Sequence, residues 1–183
     1  MTGQTPPPGP GHPTTGPVAG TRPGELLDRF LARLVDGILL AVVNGIVVSA
    51  IVVGAILGDS GGFYYGADDY AAAAVSAILS AALYLAYFGV LESSRGQTVG
   101  KMVMKLHVLG PQGGNPTLEQ ALRRNIWVAF GVLGVIPFIG GLVGGLASLV
   151  AVILIAVGIN GDTVDRQGWH DRFAGGTRVV KEG

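Results

Sequence analysis

Four long apolar stretches, parted by polar and glycine-rich segments, set the pattern of this chain. The first, residues 30–57, reads FLARLVDGILLAVVNGIVVSAIVVGAIL. It is long enough to cross a bilayer, whose hydrocarbon core of about 30 Å takes about 20 apolar residues in a helix. The second, residues 70–91, carries no charge and closes on Tyr84, Tyr87 and Phe88, an aromatic belt suited to a headgroup boundary. Residues 126–159 form one apolar run that as a single straight helix would reach about 50 Å, too far for one crossing. Pro137-Phe138-Ile139-Gly140-Gly141 interrupts this run and reads as a break. The pattern therefore predicts a third helix over about 120–136 and a fourth over 141–159, both short or re-entrant. Pro116, then Thr117 with Gln120 three residues on, is a capping-box signature that opens the third.

Between the spans, Val103–Leu109 alternates weakly and runs into the turn-rich 110–116, and 177–181 is a second short β-type run. A pair of isolated strands is marginal in water, so these two are expected to pair against the membrane helices. Seven of the ten prolines fall in residues 1–24, which hold almost no large apolar side chain and are expected to form a disordered Pro/Gly-rich tail. The expected architecture is an all-α integral membrane protein. It is a four-helix transmembrane bundle over 25–183, with a small cytoplasmic β-hairpin-like cap built from 95–117 and 165–181.

Composition agrees with residence in a membrane: 49% of the 183 residues are hydrophobic and 13% charged, where soluble domains carry about 25% charged residues. Twelve basic and twelve acidic side chains cancel, which gives no reason to expect a nucleic-acid partner. No cysteine is present, so thiol nucleophiles, thiolate metal sites and disulfides are excluded. Placement of charge says more than its sum. Arg22, Arg29 and Arg33 stand at the entry to the first span, and the 58–69 loop has only Asp59, Asp68 and Asp69. Basic residues return in 92–125 and after 160. Positive residues favour the cytoplasmic side, so both termini and the central loop are expected inside, with an even number of crossings in the cytoplasmic (inner) membrane.

An arginine or aspartate at the middle of a membrane helix costs about 2.5–3.5 kcal/mol, yet the first span keeps Arg33 and Asp36, with Arg29 just before them. At about 100° per residue, Arg29 and Asp36 lie about 20° apart, as do Arg33 and Asn44. The four form one polar stripe. The plain expectation is that Arg29 and Arg33 reach the inner headgroups. Asp36, too short to do so, should face the bundle and pair with Arg29, Arg33 or another helix.

Arg29-Phe-Leu-Ala-Arg-Leu-Val-Asp36 resembles the opening signature of the RDD family of bacterial membrane proteins. Arg95-Gly96-Gln97-Thr98-Val99-Gly100-Lys101-Met102 is similar to that family's GQTxGK segment, and an Arg-Asn pair follows as Arg124-Asn125. The ending His170-Asp171-Arg172-Phe173-Ala174-Gly175-Gly176-Thr177-Arg178-Val179-Val180 resembles the family's HDxxAGTxVV closure, with one extra glycine. The resemblance implies that Arg29, Asp36 and Asp171 form the family's polar site, with Asp162 and Asp165 as nearby alternatives for the second aspartate. Family proposals run to transport of an unidentified ligand, including cation/proton exchange.

Other motifs have plainer readings. The GQTVGK segment is no Walker A, which needs four residues between its glycines and Ser or Thr after lysine. It reads as a basic turn in which Lys101 and Lys105 attract anionic lipid. His170-Asp171 reads as a structural hydrogen bond, since no nucleophile or further ligand accompanies it. Gly140, Gly141, Gly144 and Gly145 make two overlapping GxxxG patterns, a close-packing signal whose partner is left open.

Two functions follow as expectations. One is a small transporter or ion-exchange subunit in which Asp36 binds a proton or cation. The other is a non-catalytic scaffold or accessory subunit holding protein partners or anionic lipid. No enzyme activity, cofactor or metal is expected. The bilayer is the implied partner, with a homo-oligomer or membrane complex left open.

Overall fold

The computed structural model of the chain describes residues 20–52 and 67–183. Residues 1–19 of the expected tail, 53–57 of the expected first span and 58–66 of the acidic loop lie outside the described residues. Three helices are long and apolar enough to cross a membrane: α1 (Leu26–Val52), α2 (Ala67–Arg95) and α5 (Gly140–Gly161). Along α1 the residues Leu27, Phe30, Leu34, Ile38, Val42 and Ile46 are exposed, while Ala32, Asp36 and Leu40 are buried on the opposite side. This inverts a soluble amphipathic helix and suits lipid contact. With 22 residues, α5 reaches about 33 Å, long enough to cross a bilayer, in place of the short or re-entrant helix expected.

The third expected helix, 120–136, takes another form. A short α4 (Leu118–Asn125) passes into a 3-10 helix, Ile126–Val135. The capping box is present: Thr117 Oγ1 accepts from the Gln120 amide at 3.2 Å, and Gln120 Oε1 accepts from the Thr117 amide at 2.9 Å. After Asn125 the sequence IWVAFGVLGV offers glycines and β-branched residues, which are poor α-helix formers. The 3-10 form rises about 2.0 Å per residue, farther than the α form. The segment runs beside α2 from its last turns, where Asn125 bonds Glu92, to its first, where the Tyr70 hydroxyl donates to the Val135 carbonyl. The break expected at Pro137 is a tight turn with Phe138 at φ 66° and fully exposed. Gly140 and Gly144 then bring α5 against the 3-10 segment. A Cβ at Gly140 would stand 2.0 Å from the Leu133 carbonyl oxygen, and one at Gly144 2.6 Å from that of Phe130. Gly141 and Gly145 look onto open space.

The cap is a three-stranded antiparallel sheet of order β1-β3-β2, where β1 is Thr21–Pro23, β2 Leu106–Leu109 and β3 Arg178–Glu182. The expected partnership of the second and third strands is present, with His107 opposite Val180 and Val108 opposite Val179. It is not a hairpin, because one long apolar helix, two short α-helices and the 3-10 segment lie between. The added strand comes from the end of the segment expected to be a tail: Thr21 stands opposite Glu182. Leu106, Val108 and Val179 pack with Ala32 of α1, so the sheet closes one end of the helices.

Candidate functional site

At the sheet end of the helices, four elements converge on Asp171. It lies in α6 (Trp169–Phe173) and is wholly buried. Arg29 Nη1 reaches its Oδ2 at 2.9 Å and Arg124 Nε its Oδ1 at 2.8 Å. The Gly168 amide donates to Oδ2 at 3.1 Å and the Thr177 hydroxyl to Oδ1 at 3.2 Å. Gly175 and Gly176, at φ 88° and 92°, turn the chain so that the amides of Gly176 and Thr177 donate to the Asp171 carbonyl. The extra glycine is thereby absorbed in a left-handed pair. Burial works against the Asp171 charge, but Arg124 and Arg29 hold its carboxyl well below the usual carboxylate range. Burial likewise opposes the Arg124 charge, and Asp171 with Glu92 outweighs it. Of the three C-terminal aspartates, Asp162 instead caps its own loop through the amides of Val164, Asp165 and Gln167, and Asp165 meets Arg178 at 3.6 Å.

Asp36 occupies a separate network. Its Oδ1 accepts from the Tyr87 hydroxyl and the Gly100 amide, both at 2.7 Å, and its Oδ2 from the Thr98 hydroxyl at 2.6 Å. It pairs with neither arginine; of the expected partners, only another helix, through Tyr87, proves right. Thr98 is also the N-cap of α3 (Val99–Val103), accepting from the Lys101 amide. Gly100 permits the approach: a Cβ there would stand 2.0 Å from the Ala32 carbonyl oxygen and 2.9 Å from Asp36 Cγ. Gln97 braces the turn by donating to the Leu106 carbonyl, and Arg95 is exposed at the end of α2. The GQTVGK segment is thus a clamp on Asp36.

A third network centres on Glu92, 1% exposed, which the sequence reading did not single out. Lys101 Nζ reaches its Oε1 at 2.6 Å, the Asn125 amide its Oε2 at 3.0 Å, and Arg124 Nη1 lies 3.6 Å from Oε2. Burial pulls the Lys101 ammonium below its ordinary value while Glu92 opposes that. Lys101 is therefore an internal counter-ion and not the lipid-facing cation expected. Arg33 is not extended outward along the helix to the membrane surface either. Its guanidinium lies 3.7 Å over the Phe88 ring and 4.9 Å from the Trp127 ring, and Nη1 donates to Asn125 at 3.1 Å. Tyr87 and Phe88, expected in an aromatic belt, instead serve Asp36 and Arg33.

Arg29, Arg33, Asp36, Glu92, Lys101, Arg124, Asn125 and His170 together floor a cavity of about 790 Å³. Its walls are apolar and come from α1 (Leu34, Ile38, Ala41) and α5 (Val152, Ile155, Ala156), with Trp127 at one side. Leu34, Ile38 and Val152 are themselves exposed, so the cavity is a cleft open along the helix faces. Arg33 Nη2, Arg124 Nη1 and His170 Nδ1 are buried without a hydrogen-bond partner. The expected His170–Asp171 hydrogen bond is not made, the atoms lying 3.7 Å apart. Burial drops the His170 imidazole to about 3, so it is neutral near pH 7. Asn44, expected in the same stripe, lies higher on α1 outside the cavity, with its Oδ1 buried and unpartnered.

Exposed apolar faces on three helices long enough to cross a bilayer, above a buried polar floor, mark a membrane protein. More narrowly, the chain belongs to the RDD family: residues 23–175 match the model of that family. Neither a curated protein nor a solved structure matches it.

Proposed function

We propose that the chain is a non-catalytic ligand-binding protein of the cytoplasmic membrane, acting in transport, whose ligand enters the cleft between α1 and α5 from the bilayer. The observation that carries this reading is a single cavity joining apolar, lipid-exposed walls to a charged floor. Its size falls inside the roughly 300–1,000 Å³ of small-molecule sites. The three-stranded sheet, drawing strands from residues 21–23, 106–109 and 178–182, supports an even number of crossings, with the 3-10 segment as a short fourth. Basic residues near all three strands support a cytoplasmic cap. Cysteines placed at Ser60 and Glu182 should label from outside and inside respectively.

Ligand chemistry falls on the cleft floor and not on Asp36 as a proton or cation site, because three donors already occupy that carboxylate. Trp127 reports on the cleft. In a Trp169→Phe background, lipids brominated on their acyl chains should quench Trp127 fluorescence in vesicles, and Ala156→Phe, which fills the cleft, should relieve the quenching. Quenching that is insensitive to Ala156→Phe would overturn the reading.

A second reading, self-association in the membrane, is favoured by Gly141 and Gly145, which leave a small-residue face of α5 open. Mass in detergent, with Gly145→Leu as the control, decides it.

A further inference from the structure

Taking the cleft as the ligand site, we propose that it holds an anionic phospholipid of the leaflet on the sheet side, with Arg33 recognising the headgroup phosphate. The floor carries an unbalanced charge. Arg29, Arg33, Lys101 and Arg124 line it as four cations, against the carboxylates of Asp36 and Glu92 in the lining and of Asp171 buried beneath it. Arg29 and Arg124 share Asp171, and Lys101 takes Glu92, which Arg124 also approaches at 3.6 Å. Among the described residues no carboxylate reaches salt-bridge distance of Arg33, and its Nη2 has no partner. Phe88 and Trp127 hold the guanidinium in place through their ring faces. That contact orients the cation without neutralising it. An excess cation enclosed at low dielectric is costly without a counter-ion, and a bound anion supplies one.

The shape of the cleft selects the kind of anion. Arg33 lies near the sheet end of α1, and Ala41 about 12 Å farther toward the middle of the membrane. On α5, Ile159 is low and Val152 about 10 Å higher. Charge at the sheet end and apolar wall above it match the ordinary posture of a lipid in that leaflet, headgroup at the surface and chains inward. A small soluble anion would fill the floor and leave the apolar walls unused.

The test uses the whole chain in the Trp169→Phe background, in phosphatidylcholine vesicles doped with brominated phosphatidylglycerol or brominated phosphatidylcholine. The anionic lipid should quench Trp127 with about fivefold greater apparent affinity, the worth of one basic residue near a membrane surface. Arg33→Gln should bring that ratio to about one and Arg33→Lys should retain a preference for the anion. Equal quenching by the two lipids in the unaltered protein overturns the proposal while leaving the cleft reading intact; no quenching by either overturns both. A preference that survives Arg33→Gln removes Arg33 from the role. A change in Trp127 emission on adding inorganic phosphate alone in detergent would make the ligand a soluble anion and sink the lipid assignment.

Discussion

Arg29 and Asp171 stand 142 residues apart in sequence and 2.9 Å apart in space, and their contact ties the beginning of α1 to α6. Arg29 also donates to the carbonyls of Gly24 and Arg166, so one guanidinium gathers the strand before α1, the loop after α5 and α6. Removing one member of a buried pair costs about 3–5 kcal/mol, because the other is left uncompensated. Asp171→Asn strips the counter-charge from two arginines and should lower the denaturation temperature in detergent more than Arg29→Gln, which leaves Arg124 on the carboxylate. The reverse order would mean that Arg124 does not share Asp171.

Asp36→Asn tests whether that carboxylate fastens the fold or handles ions. Hydrogen bonds to a charged group contribute about 1.5–3 kcal/mol each, and the amide cannot accept at both oxygens. The folded yield and thermal stability should fall by about that amount. An undiminished stability with altered cation flux in vesicles would restore the ion-exchange role.

Gly100→Ala places a methyl against the Ala32 carbonyl oxygen, which is rigid helix backbone. α3 must then back away from α1 and release the Gly100 and Thr98 bonds to Asp36. Loss of folded protein in size-exclusion chromatography is expected, well beyond the roughly 1 kcal/mol scale of helix-propensity effects. Gly141→Ala, facing open space, is the matched control and should be silent.

His170 sets an acid limit. Its imidazole is neutral when folded because burial drops it from 6.5 to about 3. Between those values the unfolded chain binds a proton that the folded one refuses, so stability rises with pH there and is lost as pH falls from about 6.5 toward 3. Asp171, also held low, contributes in the same direction below about pH 4. Acid denaturation followed by tryptophan fluorescence should begin below pH 6.5, and His170→Gln should flatten the upper part of that decline. An unchanged slope between pH 6 and 4 would show that His170 titrates normally.

Local signals were legible where the physics is local. The capping box at Thr117 and the break at Pro137 stand where the sequence places them, because both depend on neighbours a few residues away. The stripe on α1 correctly marks a buried polar face, since helical angle alone decides which side a residue occupies. Angle says nothing about partners, and Arg29, Arg33 and Asp36, expected as one cluster, enter three different networks. Glu92 escaped notice because it lies just beyond the apolar run, where a lone carboxylate looks like a surface charge. Its signal was the lack of any basic residue within four positions except Arg95, which is exposed. Thr21–Pro23 carries no periodicity at all, and its strand exists only because β3 offers a free edge. The 126–135 segment is apolar throughout, so hydropathy cannot tell one helical pitch from another.

The order of synthesis imposes a waiting period on this architecture. β1 and β2 are not neighbours in the sheet; each pairs with β3, whose residues are made more than 65 positions after the end of β2. Arg29 and Arg124 are likewise made 142 and 47 residues before Asp171. Until residue 171 is made, Arg29 lacks its carboxylate and β1 and β2 lack the strand that joins them, so a chain cut short before that point has no latch to shut.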